Sequence, residues 1–585
     1  MMKSCGISIA GYRRPSLPSY LIFRIGHGLY RPRGPRLMAL FQLSDNIVMT
    51  KKNQNRREFL KTGAAGLATI SLFRNTHAEI GGLPDVDPFP ELVEATIPQL
   101  QAKLKSGQLT ARRLTEMYLE RIKVVDTKTR SVLEINPDAL EIADQLDKER
   151  KKGRFRSMLH GIPILIKDNI DTADKMLTTA GSLALIDAPT PKQDAFVVQR
   201  LRNSGAVIIG KTNLSEWANF RGARSISGWS GRGLQTNNPY FLDQNPCGSS
   251  SGSGVSVSAN LAAAAVGTET NGSIICPALT NGVVGIKPTL GLVSRSGIIP
   301  IAHTQDTAGP MARTVTDAAI LLGAMTGGDK QDLITLAADK RAAKDYTKFL
   351  DPNGLKGARL GLAMQFTTRP ELKAYFQPFI DALRAAGATL IDVTFAPDYG
   401  KIATQRTDVL LYEFKTDLNK YLAARGSKYK TLEDLIKFNE ENKAKELPLF
   451  GQELFVQSQA KGDLNEKAYT DALAAVRKAC REDGIDAVIA KDNLDAIVAP
   501  TSGATWSIAA VAGYPYITVP LGIRESTSPP VAGATAGAAT GVATGMAFFG
   551  KAFSDALLIK YAYAFEQKTK GRVTPQFLPT YPGKK

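Results

Sequence analysis

Three short segments of the chain carry residue types that can do chemistry together. They are residues 163–169 (PILIKDN), 245–254 (NPCGSSSGSG) and 268–274 (TETNGSI). They supply one lysine and several serines on turns dense in Gly, Ser and Pro. A serine hydroxyl is inert until a base takes its proton, and a neutral lysine can be that base if burial lowers its pKa from about 10.4 toward neutrality. The pattern predicts a nucleophilic hydrolase that uses no histidine.

The loop at 245–254, rich in glycine and serine, also partly fits other motifs, but the neighbouring sequence argues against each of them. Residues 248–252 match the G-x-S-x-G nucleophile elbow with Ser250 at its centre, which requires an acid and a histidine further along the chain. Only His303 follows Ser250, and Glu269 is the only acidic residue between them. No G-K-[ST] closes a phosphate-binding loop. The apolar run at 255–266 predicts a buried helix or strand rather than the continuation of a flexible linker.

From about Thr96 to its end, the chain resembles the amidase signature family. The resemblance is strongest over residues 245–317 and looks closest to the peptide amidase branch. The segments that carry it are 227–236 (SGWSGRGLQT), 282–288 (GVVGIKP), 305–313 (QDTAGPMAR) and 451–454 (GQEL). It implies an α/β fold, with one large domain built on a central mixed twisted sheet covered by helices, and hydrolysis of linear amides without a metal or another cofactor.

The same resemblance implies a set of site residues. Lys167 matches the catalytic lysine, Ser249 the bridging serine in a cis peptide, and Ser273 the nucleophile that forms the acyl-enzyme. The oxyanion hole is implied to consist of the backbone N–H groups of Thr270, Asn271, Gly272 and Ser273. Two positions depart from the family pattern: Cys247-Gly248 stands where Gly-Gly is usual, and Asn271 stands where Asp or Gly is usual.

Helices and strands around these segments are predicted from hydrophobic periodicity. The apolar run 162–166 predicts a strand that buries the stem of Lys167, and 314–325 predicts a helix. The catalytic core is expected over about 159–327, and the charged, helical stretch 404–461 is expected to cap the sheet. No apolar run reaches 18 residues, so we expect no stable membrane anchor.

The N-terminal region predicts export. Residues 55–61 (NRREFLK) match a twin-arginine signal, a weakly apolar stretch follows, and Thr76-His77-Ala78 resembles a signal-peptidase site. Residues 49–78 are therefore expected to be a signal peptide and 79–585 the amidase domain, located in the periplasm or otherwise exported. Residues 1–48 are expected to be a mis-annotated extension upstream of a start at Met49.

Composition and cysteine usage argue against two classes of protein, nucleic-acid-binding proteins and small disulfide-rich domains. The net charge is +18, but residues 1–78 carry 13 Lys and Arg against two Asp and Glu, so the remainder carries only +7. No aromatic or zinc pattern accompanies that charge, and we expect no nucleic-acid partner. Of the four cysteines, Cys5 lies in the expected upstream extension, and the three that remain imply no disulfide framework. Cys247 and Cys276, which flank the two serines, are predicted to be small buried fillers, although the sequence leaves their oxidation state open.

Two segments bear on substrate choice. The chain is shorter than peptide amidases between Trp506 and Ala512, and longer over 523–544, where it contains the stretch PPVAGATAGAAT. The expected substrates are peptide C-terminal amides or other small amides, and the expected partner is the twin-arginine machinery during export. Two alternatives stay open: the A subunit of a tRNA-dependent amidotransferase, and a non-catalytic envelope binding protein on an amidase scaffold.

Overall fold

A computed structural model describes residues 88–395, 402–526 and 540–582. The predicted upstream extension, 1–48, and the predicted signal peptide, 49–78, lie outside the described residues, as does 527–539 of the Ala/Gly-rich stretch. No helix in the described ranges is both long and apolar enough to cross a membrane.

The described chain is organised around one large mixed sheet. Its strands, numbered along the chain, are β1 (Val132–Ile135), β2 (Pro163–Lys167), β3 (Val207–Thr212), β4 (Trp229–Ser230), β5 (Leu234–Gln235), β6 (Ala264–Glu269), β7 (Val284–Lys287), β8 (Thr307–Ala312), β9 (Arg359–Leu362), β10 (Thr389–Asp392), β11 (Ala496–Pro500), β12 (Tyr516–Ser526) and β13 (Thr540–Phe549). Eleven of them form the sheet in the order β1-β3-β2-β6-β8-β7-β12-β13-β11-β9-β10, and β4 pairs with β5 alone. Strand β2 runs parallel to β3 and β6, and β9 runs parallel to β10 and β11, while the other neighbours are antiparallel.

Helices cover this sheet. They are α1 (Ile97–Ser106), α2 (Ala111–Thr129), α3 (Ala139–Lys151), α4 (Phe196–Asn203), α5 (Ser251–Ser258), α6 (Ile275–Thr280), α7 (Val315–Met325), α8 (Ile334–Asp339), α9 (Pro370–Ala385), α10 (Ala403–Arg425), α11 (Leu432–Glu441), α12 (Lys443–Glu446), α13 (Glu453–Gln459), α14 (Lys467–Cys480), α15 (Ala487–Lys491), α16 (Gly503–Ala512) and α17 (Asp555–Thr569). The α/β architecture with a mixed central sheet covered by helices confirms the fold predicted from the sequence.

Sheet order explains how the polar segments come together. Strand β2 is buried along its whole length, as expected for an apolar strand with parallel neighbours on both sides. Its register with β6 pairs Ile166 with Val266, so the carboxyl ends of the two strands lie side by side. Lys167 therefore ends next to the residues that open the TETNGSI segment.

Two short helices begin directly after the serine-bearing turns. Helix α5 follows Ser250 and is buried over all its residues, which are Ser, Gly and Val. The small size is required, because a Cβ at Gly252 would lie 2.3 Å from the carbonyl oxygen of Ser131. Helix α6 begins two residues after Ser273. The serines are thus held at helix starts packed closely against the sheet.

The described ends of the longer 523–544 segment, 523–526 and 540–544, are strands. They belong to β12 and β13, which pair antiparallel from Tyr516↔Phe549 out to Ser526↔Thr540. Backbone hydrogen bonding carries this hairpin, so the low side-chain complexity of the segment did not reveal it.

Candidate active site

Lys167 lies at the end of β2 with no solvent-exposed surface. Its Nζ lies 2.7 Å from Ser249 Oγ, 2.9 Å from Thr268 Oγ1 and 3.4 Å from the Thr268 carbonyl oxygen. Burial lowers the pKa of Lys167 to about 7, against the raising influence of the Asp306 and Glu269 carboxylates. A lysine in these surroundings is substantially neutral near pH 7 and can accept a proton.

Ser249 joins the lysine to the second serine-bearing loop. It is fully buried, the Gly248–Ser249 peptide bond is cis, and its carbonyl oxygen accepts a hydrogen bond from the Ser215 N–H at 3.1 Å. A side chain at Gly248 is excluded, since a Cβ there would lie 2.2 Å from Ser215 Oγ. The structure thus brings Lys167 and Ser249 together, with the cis bond in the position that the resemblance implied.

Ser273 lies on the neighbouring loop and keeps access to solvent. It is 8% exposed, whereas Ser249 is completely buried. The two loops touch through the Ser250 N–H, which donates to the Ser273 carbonyl oxygen at 3.0 Å. Ser273 is therefore the more exposed of the two serines. Its role as nucleophile remains a prediction.

Ser250, the residue at the centre of the elbow motif, is engaged in structure. Its hydroxyl donates to the Thr268 carbonyl oxygen at 3.0 Å and accepts from the Thr268 N–H at 3.1 Å. His303, the one histidine that an elbow mechanism had available, lies 2.8 Å from Asp417 through its Nδ1. The hydrogen bond to Asp417 is the main cause that raises the pKa of His303. Neither residue is arranged for an elbow mechanism.

The turn that contains Ser273 presents unused backbone donors. The N–H groups of Thr270, Asn271 and Ser273 donate no hydrogen bond within the described residues. Below them, the buried Glu269 carboxylate accepts from the N–H groups of Ile274 and Ile275 at 2.8 and 3.0 Å.

Gly272 differs from the other three predicted oxyanion-hole residues. Its N–H faces the Glu269 carboxylate, which makes it the weakest of the four expected donors. The geometry therefore favours Thr270, Asn271 and Ser273 as the groups that can bind a developing negative charge.

Helix α16 forms a wall of this turn. Gly272 has φ +84°, and a Cβ there would lie 2.4 Å from Trp506 Nε1. The neighbouring Ser507 hydroxyl donates to Asn271 Oδ1 at 2.6 Å. The segment near Trp506, which the sequence linked to substrate choice, therefore also supports the loop.

A cavity of about 370 Å³ is lined on one side by Asn169, Thr268 and Thr270, which adjoin the lysine and the oxyanion turn, but not by Lys167, Ser249 or Ser273 themselves. Its far wall comes from the 295–301 loop and from helix α10. Arg295 on that wall is paired with Asp332. A cavity of this size suits a small ligand or one end of a peptide.

Cys247 and Cys276 are bonded to each other, with their Cα atoms 5.8 Å apart. The sequence-based expectation of two separate buried fillers is wrong. Both residues are partly exposed rather than buried. The bond links residues 29 apart in the chain, a proximity created by the packing of α5 and α6 that cysteine spacing alone does not reveal.

Three residues that support the site, Asn169, Thr268 and Asp306, were given no role by the sequence. Thr268 contacts Lys167, and its hydroxyl also accepts from Asn169 Nδ2 at 3.0 Å. Asp306 accepts from the Thr270 hydroxyl at 2.5 Å, and burial raises the pKa of its carboxyl to about 6. All three lie inside segments already singled out, so adjacency to those motifs was the available signal.

Comparisons with known proteins show the family to which the chain belongs. The family model "Amidase" matches residues 113–559. A probable amidase from Arabidopsis thaliana is 43% identical over 83% of this chain and 92% of its own length. The native peptide amidase from Stenotrophomonas maltophilia is 48% identical, with a TM-score of 0.77 over 84% of this chain and 100% of that one. The A subunit of a glutamyl-tRNA(Gln) amidotransferase from Thermoanaerobacter pseudethanolicus is 33% identical over 83% of this chain and 99% of its own length.

Proposed function

The chain belongs to the amidase family and is an amide-hydrolysing enzyme, and we propose that it cleaves carboxamides, among them the C-terminal amides of peptides, through Ser273, Ser249 and Lys167. The observation that carries the proposal is the 2.7 Å contact between Ser249 Oγ and a fully buried lysine amine. No other described lysine has its amine this close to a serine hydroxyl.

The proposed first step forms an acyl-enzyme. Neutral Lys167 takes the Ser249 hydroxyl proton while Ser249 takes the proton of Ser273, whose Oγ attacks the amide carbonyl carbon. The carbonyl oxygen becomes an oxyanion that the N–H groups of Thr270, Asn271 and Ser273 bind. Each such donor contributes about 2.7–4 kcal/mol to the transition state.

The second half of the reaction returns the protons and releases the acid. The lysine proton passes through Ser249 to the departing nitrogen, so that ammonia or an amine leaves and the Ser273 ester remains. Water then attacks this ester while Lys167, again through Ser249, accepts a water proton. Collapse of the intermediate re-forms the Ser273 hydroxyl and releases the carboxylic acid.

Support for peptide amides comes from the 48% identity to a peptide amidase and from the open cavity that Thr268 and Thr270 line next to the proposed site. Selectivity among apolar side chains should be low, since an open pocket rejects a methylene by only about 1–3 kcal/mol. A panel of amidated dipeptides, benzamide and unamidated peptides tests this. We expect ammonia from the first two, with internal peptide bonds spared. Strict preference for one small amide, with no peptide amide cleaved, would refute this substrate assignment.

The amidotransferase role is the second candidate, and the 33% identity of this chain to such a protein is the observation that favours it. An amidotransferase of this kind needs glutamine and partner proteins, whereas an amidase releases ammonia from simple amides alone. The binding-protein alternative predicts no ammonia from any amide. The same panel, run on the isolated protein with Ser273→Ala as control, therefore separates all three candidates.

We also propose that the enzyme is exported by the twin-arginine route. The support is the pair Arg56-Arg57, the apolar stretch after it and the small residues around Ala78. Export would place the amidase domain in the periplasm or outside the cell.

A further inference from the structure

We propose that the Cys247–Cys276 disulfide is a positioning element that holds Ser249 and Ser273 in working register, so that turnover requires its oxidised form. This inference rests on the proposed function, because it assigns both serines to one reaction. It adds a redox requirement that the serines and the lysine do not themselves imply.

The position of the bond carries the argument. Cys247 immediately precedes the cis Gly248–Ser249 bond, and Cys276 lies three residues after Ser273. Each end of the disulfide is therefore close in sequence to one of the two serines. The Cys276 N–H also donates to the Gly272 carbonyl oxygen at 2.7 Å, which ties the bonded cysteine to the turn that presents the oxyanion donors.

The other links between these two segments are noncovalent: the packing of α5 against α6 and a few hydrogen bonds. The Ser250 N–H donates to the Ser273 carbonyl at 3.0 Å, and the Ser250 hydroxyl makes two bonds to the Thr268 backbone. Asn281 Nδ2 donates to the Pro246 carbonyl at 2.8 Å. Each such bond contributes only about 0.5–1.5 kcal/mol net. The disulfide is the covalent link, so its loss leaves the spacing of the two serines to these weaker contacts.

The bond is open to chemical reduction. Both cysteines are partly exposed, and we expect a small dithiol to reach the disulfide. Dithiothreitol would supply two electrons and two protons, converting the disulfide to two thiols while itself closing to a cyclic disulfide. The free Cys480 is buried, and burial raises its pKa to about 12, so it is a poor thiolate for exchange with this pair.

A consequence for the cell follows if the proposed export also holds. The cytoplasm keeps exposed thiols reduced, whereas compartments outside it favour disulfides. The enzyme would then gain full activity only after it leaves the cytoplasm, which would spare amides inside the cell.

The test compares oxidised enzyme, enzyme reduced with dithiothreitol under native conditions, and the Cys247→Ala/Cys276→Ala double variant. Thiols are counted by alkylation and mass spectrometry, folding is followed by near-UV circular dichroism, and assays are run well below each melting temperature. We expect kcat on an amidated dipeptide, and the rate of fluorophosphonate labelling at Ser273, to fall by about tenfold or more, with KM changing less, because small misplacements of reacting groups slow chemistry steeply. Reoxidation with oxidised glutathione should restore the reduced enzyme but not the double variant, and Cys480→Ala should behave as wild type.

The proposal fails if the reduced enzyme, while folded, keeps kcat and the labelling rate within twofold of the oxidised form. A lower melting temperature with unchanged kcat would likewise overturn it, since the bond would then be a structural staple only. If oxidised wild type hydrolyses no amide, the proposed function fails instead, and the labelling rate at Ser273 still decides whether the disulfide positions that serine. Should the double variant not fold, the reduced wild type decides alone.

Discussion

The hydroxyl of Ser507 donates a 2.6 Å hydrogen bond to Asn271 Oδ1. A residue of helix α16 thereby fixes the side chain of a residue whose backbone N–H is proposed to bind the oxyanion. Ser507→Ala should lower kcat/KM on an amidated dipeptide by roughly two- to tenfold, the range expected for loss of one hydrogen bond. Ser507→Thr retains the hydroxyl and should recover most of the activity. Equal activity of Ser507→Ala and wild type would show that Asn271 is held by other contacts.

Gly272→Ala should damage both stability and catalysis. The substitution places a Cβ at φ +84° and 2.4 Å from Trp506 Nε1, so the turn or the tryptophan must move. Gly107→Ala is a matched control, with φ +77° and no atom within 4 Å of the added Cβ. Each change costs about 1–2 kcal/mol for the left-handed backbone. Only Gly272→Ala should also lose activity. A similar kcat in the two variants would contradict the proposal that the 270–273 turn binds the oxyanion.

Lys167 should govern the acid side of the pH–activity profile. Its pKa is lowered by burial to about 7, so kcat/KM should fall as the pH drops through about 7 and the amine becomes protonated, and hold at mildly alkaline pH. Lys167→Met, which keeps the apolar stem, should lose about 10²–10⁴-fold in kcat. Near-wild-type activity of this variant at every pH would exclude the lysine as the base.

The lowered pKa of Lys167 also predicts the direction in which the free energy of unfolding changes with pH. The unfolded lysine titrates near 10.5 and the folded one near 7, so between these values the unfolded state binds more protons. Relative to Lys167→Met, the free energy of unfolding of wild type should therefore increase as the pH rises from 7 to 10.5. Urea midpoints of both proteins across this range measure the difference. If the difference in midpoint between wild type and Lys167→Met stayed constant over this pH range, the pKa of Lys167 would not be lowered in the folded protein.

Replacing Arg56-Arg57 with Lys-Lys should block export, because the twin-arginine receptor reads that pair. Cell fractionation should then find the uncleaved precursor in the cytoplasm, whereas the exported wild type should begin at or near Glu79. Unchanged export of the Lys-Lys variant would exclude this route.

Sequence reasoning went furthest where the relevant interactions are local. The apolar run before Lys167 predicted a buried strand, and the pattern over 314–325 predicted helix α7, which Thr314 caps. The contact between Lys167 and Thr268 depends on β2 lying beside β6, an order set by the whole sheet. The Cys247–Cys276 bond and the Ser507–Asn271 contact likewise join distant segments. Such pairings follow from packing that no local pattern records.

Labelling with a fluorophosphonate, followed by peptide mapping, tests the central claim most directly. The proposed arrangement predicts one adduct, on the peptide that contains Ser273, with concurrent loss of amide hydrolysis. Ser273→Ala should show neither the adduct nor turnover while remaining folded, because nucleophile and base act as a unit. An adduct on Ser250 or Ser249 instead, or amide hydrolysis that survives in Ser273→Ala, would contradict it.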